Sequence, residues 1–259
     1  MAATGFLFCA SEIGFAAEPR RAAAVPKCPA AGTVDASFAS ATTGNSFRTT
    51  DGSEIVLAGT WSPDGTAAAS SVRELAGRLA NKRLTLATDG SDTSDRYGRL
   101  VRYVFADGIR VQDELLRAGL VLAAPDRAST ACSAIFLGAE NAARTERSGL
   151  WGTGAFAILT VNQINLDASR RAGTFQIVEG VVEAAAIVRG RAYLNFGIDR
   201  RTDFTVTMAP PDMRAFRAAR IDMKTLAGKR VRVRGWLELY NGAELSLSTP
   251  GALEILEDR

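Results

Sequence analysis

The sequence predicts an α+β chain made mostly of strands: a small five-stranded barrel with three helices over residues 32–152, then a second barrel over residues 174–259. Three observations predict it. Short extended runs are broken by turn dipeptides such as Asp51-Gly52 and Asp107-Gly108. Three stretches in the first half carry helical spacing of apolar residues. The second half reads strand, strand, strand, helix, strand, strand, the order of a closed five-stranded barrel.

The chain has 259 residues, 47% of them apolar and 23% charged, which fits two ordinary globular domains. The formal charge of +3 is too small to demand a polyanion as partner. Histidine is absent, which excludes histidine general bases, Ser-His-Asp and Cys-His nucleophiles and histidine metal ligands. Three cysteines with no CxxC argue against structural zinc.

Residues 1–17 hold a short apolar core at Phe6-Leu7-Phe8 and end in Phe15-Ala16-Ala17, the outline of an export signal. No Lys or Arg precedes the core and Glu12 interrupts it, so a truncated start or a plain leader stays open. Residues 18–31 read as a linker, and the segment is too short to insert in a membrane. Cys9 lies in the leader. Removing the leader would leave Cys28 and Cys132, an even pair expected to form a disulfide in a periplasmic or secreted protein; two unrelated buried thiols are the alternative.

In the first domain, Phe47 to Leu57 is expected to form a hairpin about Asp51-Gly52. A helix from Thr66 presents Val72, Leu75, Ala76 and Leu79 on one face. Leu84 to Ala87 is a strand, Asp89 to Asp92 a turn, and Arg99 to Phe105 a strand. Val111 to Ala118 is a helix stopped by Gly119. Cys132 to Ser148 is a longer helix with Cys132, Ile135/Phe136, Ala139 and Ala142/Ala143 facing inward.

Asp95-Arg96-Tyr97-Gly98-Arg99, Tyr103 to Gly108, Glu114 to Leu120, Ala139-Glu140, Ala142-Ala143-Arg144 and Gly149-Leu150-Trp151 together resemble the staphylococcal nuclease (thermonuclease) family, in the right order over roughly 120 residues. The resemblance implies an OB-fold barrel with three helices. It also implies a calcium-dependent phosphodiesterase, in which a metal-positioned water attacks a phosphodiester gripped by two arginines. Arg99 falls on one of those arginines. The other positions differ: the metal turn falls on Gly44-Asn45-Ser46-Phe47, with Asn45 in place of an aspartate. The second arginine falls on Val56, the second metal aspartate on Trp61, its neighbouring threonine on Ser62, and the glutamate after the proline on Asp64.

Calcium draws its affinity from charged oxygens, which Asn45 and Trp61 do not supply. Losing one charge-stabilising donor such as the second arginine costs ~3 kcal/mol, on the order of a hundredfold in rate. The expectation is therefore binding of nucleic acid or another anion rather than efficient cleavage, with Arg99 and Asp64 as the residual catalytic positions and no cofactor. An active phosphodiesterase with a reworked site remains the alternative. It would use calcium or carboxylates among Asp51, Glu54, Asp64, Asp89 and Asp95. Arg99 could equally pair with Asp95 alone.

Thr153 to Gly173 is polar and mildly helical and reads as a connector. Phe175 to Val182, Arg191 to Phe196, Phe204 to Met208, Val231 to Leu239 and Ala243 to Leu247 are expected strands, with a helix at about Asp212 to Leu226. This is the OB order. Tyr193 to Gly197 and Thr202 to Val206 also resemble a C-terminal extension on some proteobacterial nuclease-like proteins. Alternation sets Arg232, Arg234, Trp236 and Tyr240 on one face and aligns Arg191 with Tyr193. Basic and aromatic side chains on one face suit single-stranded nucleic acid. The same aromatics could instead pack on the first domain, which would make the chain a protein-binding two-barrel scaffold.

Overall fold

A computed structural model describes residues 27–89, 94–126, 130–199 and 201–256, together with residue 1. The leader after residue 1, Cys9 and turn residues 90–92 lie outside the described residues.

The first sheet contains β1 (Val34–Ala36), β2 (Phe38–Thr43), β3 (Ser46–Thr49) and β4 (Glu54–Leu57). A short β5 (Thr60–Trp61) leads to α1 (Thr66–Leu79), then β6 (Leu84–Ala87), β7 (Leu100–Ala106) and β8 (Ile109–Arg110). Strand order is β1-β6-β7-β4-β3-β2, with β8 also on β7. Ser37 alone separates β1 from β2, so one bent strand pairs with β6 through its first half and with β3 through its second. That bend closes the barrel. β4 and β7 run parallel, Val56 opposite Val101. With the helix between the third and fourth barrel strands, this is OB topology.

The predicted helices α2 (Val111–Arg117) and α3 (Ser133–Thr145) form, with a short β9 (Leu122–Ala123) between them, and one more turn, α4 (Leu150–Thr153), follows where the sequence reads only the end of α3. Leu75 and Leu79 of α1 and Phe136, Ala139 and Ala143 of α3 are buried, as their spacing requires. Ile135 is instead 43% exposed, so the stripe on α3 runs through Phe136 alone on that turn. Cys28 is bonded to Cys132, and Arg110 donates to the Pro29 carbonyl, which ties the arm to the barrel.

Next come β10 (Leu159–Thr160) and α5 (Val161–Arg171). Thr160 and Gln163 form a reciprocal capping box. Ile164 is fully buried in the second core, and Asn165 accepts from the Phe204 backbone N–H at 2.9 Å. A segment that reads as a polar connector thus carries a docked helix.

The second barrel comprises β11 (Phe175–Val181), β12 (Ala184–Val188), β13 (Arg191–Asn195), β14 (Thr205–Met208), α6 (Met213–Ala218), β15 (Arg230–Leu239), β16 (Ala243–Ser246) and β17 (Leu253–Ile255). Its order is β11-β15-β16-β14-β13-β12, with β10 on β11 and β17 on β15. β14 and β16 are parallel. Val182 bonds back to Lys229 beside β15, while Glu183 donates to Asn195 on β13. The chain turns its corner there, as it does at Ser37, and the two barrels share one topology. Val206, Met208, Val231, Val233, Leu237 and Leu245 fill the second core.

No helix among the described residues is long and apolar enough to cross a membrane.

Candidate functional site

Three places hold the residues that the sequence singles out. The first is the turn opening β7. Gly98 has φ +78°, a left-handed conformation that lets the chain reverse between Asp95 and Arg99. Asp95 accepts from the Arg99 backbone N–H at 3.0 Å and from its Nε at 2.7 Å, and a second guanidinium nitrogen lies 2.7 Å from Asp95. Glu54 lies 3.9 Å away on the other side. The Arg99 side chain keeps 29% of its exposure. Tyr97 is 71% exposed, and the guanidinium carbons of Arg96 and Arg99 lie 5.4 and 5.3 Å from its ring centre. Both readings of Arg99 therefore meet here: one edge is committed to Asp95, and the corner still presents two guanidiniums beside an open ring.

The second place gathers Gly44, Asn45, Trp61 and Ser62. The Asn45 amide donates to the Thr60 carbonyl at 2.8 Å, and its oxygen accepts from the Thr43 hydroxyl at 3.0 Å. The Ser62 and Ser71 side chains occupy the space where a Cβ on Gly44 would point. Trp61 stacks 5.2 Å from Phe175 and meets Trp236 edge-on at 6.2 Å. Val56 sits mid-strand in β4. Asp64 is exposed beyond Pro63, outside this packing. Asp51 caps its own hairpin, accepting from Thr49 and from the Ser53 backbone. Among the described residues no group of three or more Cys, Asp or Glu could hold a metal ion.

The third place is the face of β15. The sequence suggests Arg232, Arg234 and Trp236 as one open basic and aromatic surface, and the structure corrects this. Arg234 is 2% exposed. It donates to both Glu140 oxygens at 2.8 and 3.0 Å, to the Ala123 carbonyl at 3.0 Å, and to Glu254 at 2.6 Å. Arg232 is held by Glu179 at 2.8 Å and Glu254 at 3.5 Å. Trp236 stays half exposed, with one side of its ring against Trp61 of the first barrel and Phe175 of its own. Alternation in β15 gave the correct face but could not say what lies on it. Arg191, Tyr193 and Tyr240 lie elsewhere, around the other part of the barrel.

Burial opposes ionisation of Asp95, but the hydrogen bonds and charge of Arg99 outweigh it and hold its pKa below the ordinary 3.8. Glu179 is likewise pushed upward by burial and more strongly downward by Arg232 and Arg230, below 4.5. A depressed folded-state pKa contributes stability that is present above the ordinary value and lost as pH falls through the folded value. Asp95→Asn should therefore flatten the acid limb of melting temperature against pH below about 4. An unchanged acid slope in that variant would refute the pairing.

A closed OB barrel packed by α1, α2 and α3, with a glycine-turned arginine at the start of β7, is the frame of the first domain. Residues 65–153 match the family described as staphylococcal nuclease homologue. The chain thus carries a staphylococcal-nuclease-like domain. No curated protein matches the chain.

Proposed function

We propose that this is an exported nuclease-like protein that binds a nucleic acid or another anionic partner at the Asp95–Arg99 corner and does not cleave it efficiently. Trp61 carries the reading. By resemblance it stands where the second metal aspartate belongs, and its indole is built into the stack with Phe175 and Trp236. It offers no oxygen to a cation. Asn45 offers one neutral oxygen, which already accepts from Thr43. Calcium takes six to eight oxygens, charged ones for affinity, and this donor set does not fit it. Val56 gives no charge to a developing phosphorane. What remains is the corner, where Tyr97 offers a ring face for a base and Arg96 and Arg99 offer donors for phosphate. The Cys28–Cys132 bond supports an oxidising destination, outside the cytoplasm.

The test is a cleavage and binding assay on purified protein and Arg99→Ala, with and without calcium. We expect no calcium-stimulated cutting. We expect salt-sensitive binding of single-stranded DNA that weakens about tenfold in Arg99→Ala. Calcium-stimulated cutting lost in that variant would establish the phosphodiesterase instead. No binding even at low salt would favour the protein-binding scaffold.

A further inference from the structure

A row of side chains across β3, β4 and β7 places a carboxylate beside the free edge of Arg99. Arg48 faces Glu54 in the β3–β4 ladder. The parallel β4–β7 register, with Ile55 opposite Leu100, puts Arg99 on the other flank of Glu54. Ile55 and Leu57 fill the core, so alternation sends Glu54 and Val56 to the outer face of β4. Val56 is where the resemblance puts the second phosphate-gripping arginine. No arginine stands there, yet the adjacent strand brings another one, Arg48, to the same face.

The Glu54 carboxylate lies between the two arginines and is held closely by neither. Its Oε2 is 3.8 Å from Arg48 and its Oε1 is 3.9 Å from Nη1 of Arg99. The Thr42 hydroxyl donates to Oε1 at 3.4 Å. A charge-assisted bond between guanidinium and carboxylate is about 2.7–2.9 Å long. Arg99 does not need Glu54 for its orientation, because Asp95 holds its Nε and Nη2 at 2.7 Å each. The remaining nitrogen, Nη1, is the one turned toward Glu54. All three side chains reach solvent: 54% of Arg48, 29% of Arg99 and 26% of Glu54 stays exposed. A loosely held anion between two cations, open to water, is an occupant that an incoming phosphate can displace.

We propose that Glu54 is a built-in competitor for the anion site at the corner, and that Arg48 is the second cationic wall of that site. A phosphate of the bound strand takes the place of the carboxylate, between Arg48 and Nη1 of Arg99, and Glu54 turns out to solvent. Each guanidinium then makes to phosphate the short, directed bonds that it does not make to Glu54. The displaced carboxylate stays close and repels the phosphate, so it lowers affinity without disturbing the Arg99–Asp95 pair. The assignment rests on the reading of the corner as an anion site. It adds two residues to that site, one that grips and one that competes.

The experiment titrates oligo-dT into the full chain, Glu54→Gln, Arg48→Ala, Arg48→Ala/Glu54→Gln and Arg99→Ala over a range of salt. Glu54→Gln should bind about tenfold tighter than the parent, the effect of removing one negative charge beside a bound phosphate. Its plot of log affinity against log salt should steepen by roughly 0.7, as for one more phosphate neutralised on a single strand. Arg48→Ala should weaken the parent only slightly, because Glu54 already offsets that charge. In the Glu54→Gln background it should cancel the gain, so the two changes are not additive. Melting temperatures should hardly move, because exposed ion pairs contribute little. Weaker binding by Glu54→Gln would make Glu54 a support for Arg99 and overturn the proposal. An Arg48→Ala effect of equal size with and without Glu54 would overturn it too. Binding lost in Arg99→Ala but unchanged in Glu54→Gln would overturn it and leave the anion reading of the corner standing. Binding by Glu54→Gln and none by the parent would uphold the competitor and sink that reading for the parent. No binding by any of these proteins at low salt overturns both.

Discussion

Arg234→Ala will destabilise the joined barrels by about 3–5 kcal/mol, the cost of breaking a buried pair by removing one partner. The Arg234 side chain is 1% exposed and that of Glu140 3%. Deleting the guanidinium strands Glu140 in a place where, among the described residues, the Ala123 N–H at 2.7 Å is the hydrogen bond left to it. It also removes the contact with Glu254 that continues through Arg232 to Glu179. Glu140 lies on α3 of the first barrel and Arg234 on β15 of the second, so the loss falls on the seam between them. Glu140→Gln should cost a comparable amount. Arg234→Met combined with Glu140→Leu should recover most of it, because an apolar pair of similar volume has no charge to desolvate. Urea midpoints of the four proteins give the comparison. Single variants within about 1 kcal/mol of the parent would show that water reaches the pair and that the seam is held by the Trp61–Phe175–Trp236 stack alone.

Removing the disulfide as Cys28→Ala/Cys132→Ala will cost about 4 kcal/mol. The bond joins residues 104 apart in sequence, and a constraint of that length removes much entropy from the unfolded chain. Cys132 is fully buried next to the barrel core, so alanine there leaves only a small void, and the effect should come mainly from the lost cross-link. Reductant should reproduce it in the parent and do nothing further to the variant. Hydrogen exchange should show the arm at residues 27–30 and β1 opening first. A denaturation midpoint unmoved by reductant would mean that the arm is held by Arg110 and the Pro29 carbonyl without the bond.

Much of the fold was legible because its signals are local. Asp51-Gly52 marks the β3–β4 hairpin, and the spacings on α1 and α3 mark their buried faces. β1 and β2 were not, because Phe38–Thr43 is mostly small and polar on both faces and half exposed; a strand closing a barrel edge-on needs no strong alternation. The Thr160-x-x-Gln163 pair is a readable helix start, but the polar composition of 153–173 makes the segment read as a mildly helical connector and not as a docked helix. Ala184–Val188 opens on three alanines, whose low strand propensity gives no local sign of β12. At the candidate site, the substitutions at Asn45, Val56 and Trp61 were plain in sequence. The use made of Trp61 was not, since its partners lie more than a hundred residues away in the second barrel. Burial of Arg234 is a property of what covers β15, and no pattern within β15 records it.

The corners at Ser37 and at Val182–Glu183 bear on how the chain acquires its fold during synthesis. In each barrel the first strand is clasped by the second through one half and by the fourth through the other. The second strand emerges early and the fourth late. Until Leu84–Ala87 leaves the ribosome, Val34–Ala36 has no ladder, and until Arg230–Leu239 appears, Phe175–Val181 has one edge unpaired and only the short β10 on the other. Non-local pairing of this kind is slow and leaves strand edges available to other chains. Each barrel is thus an all-or-nothing unit, and a nascent chain stopped short of its fourth strand has no smaller closed structure to settle into.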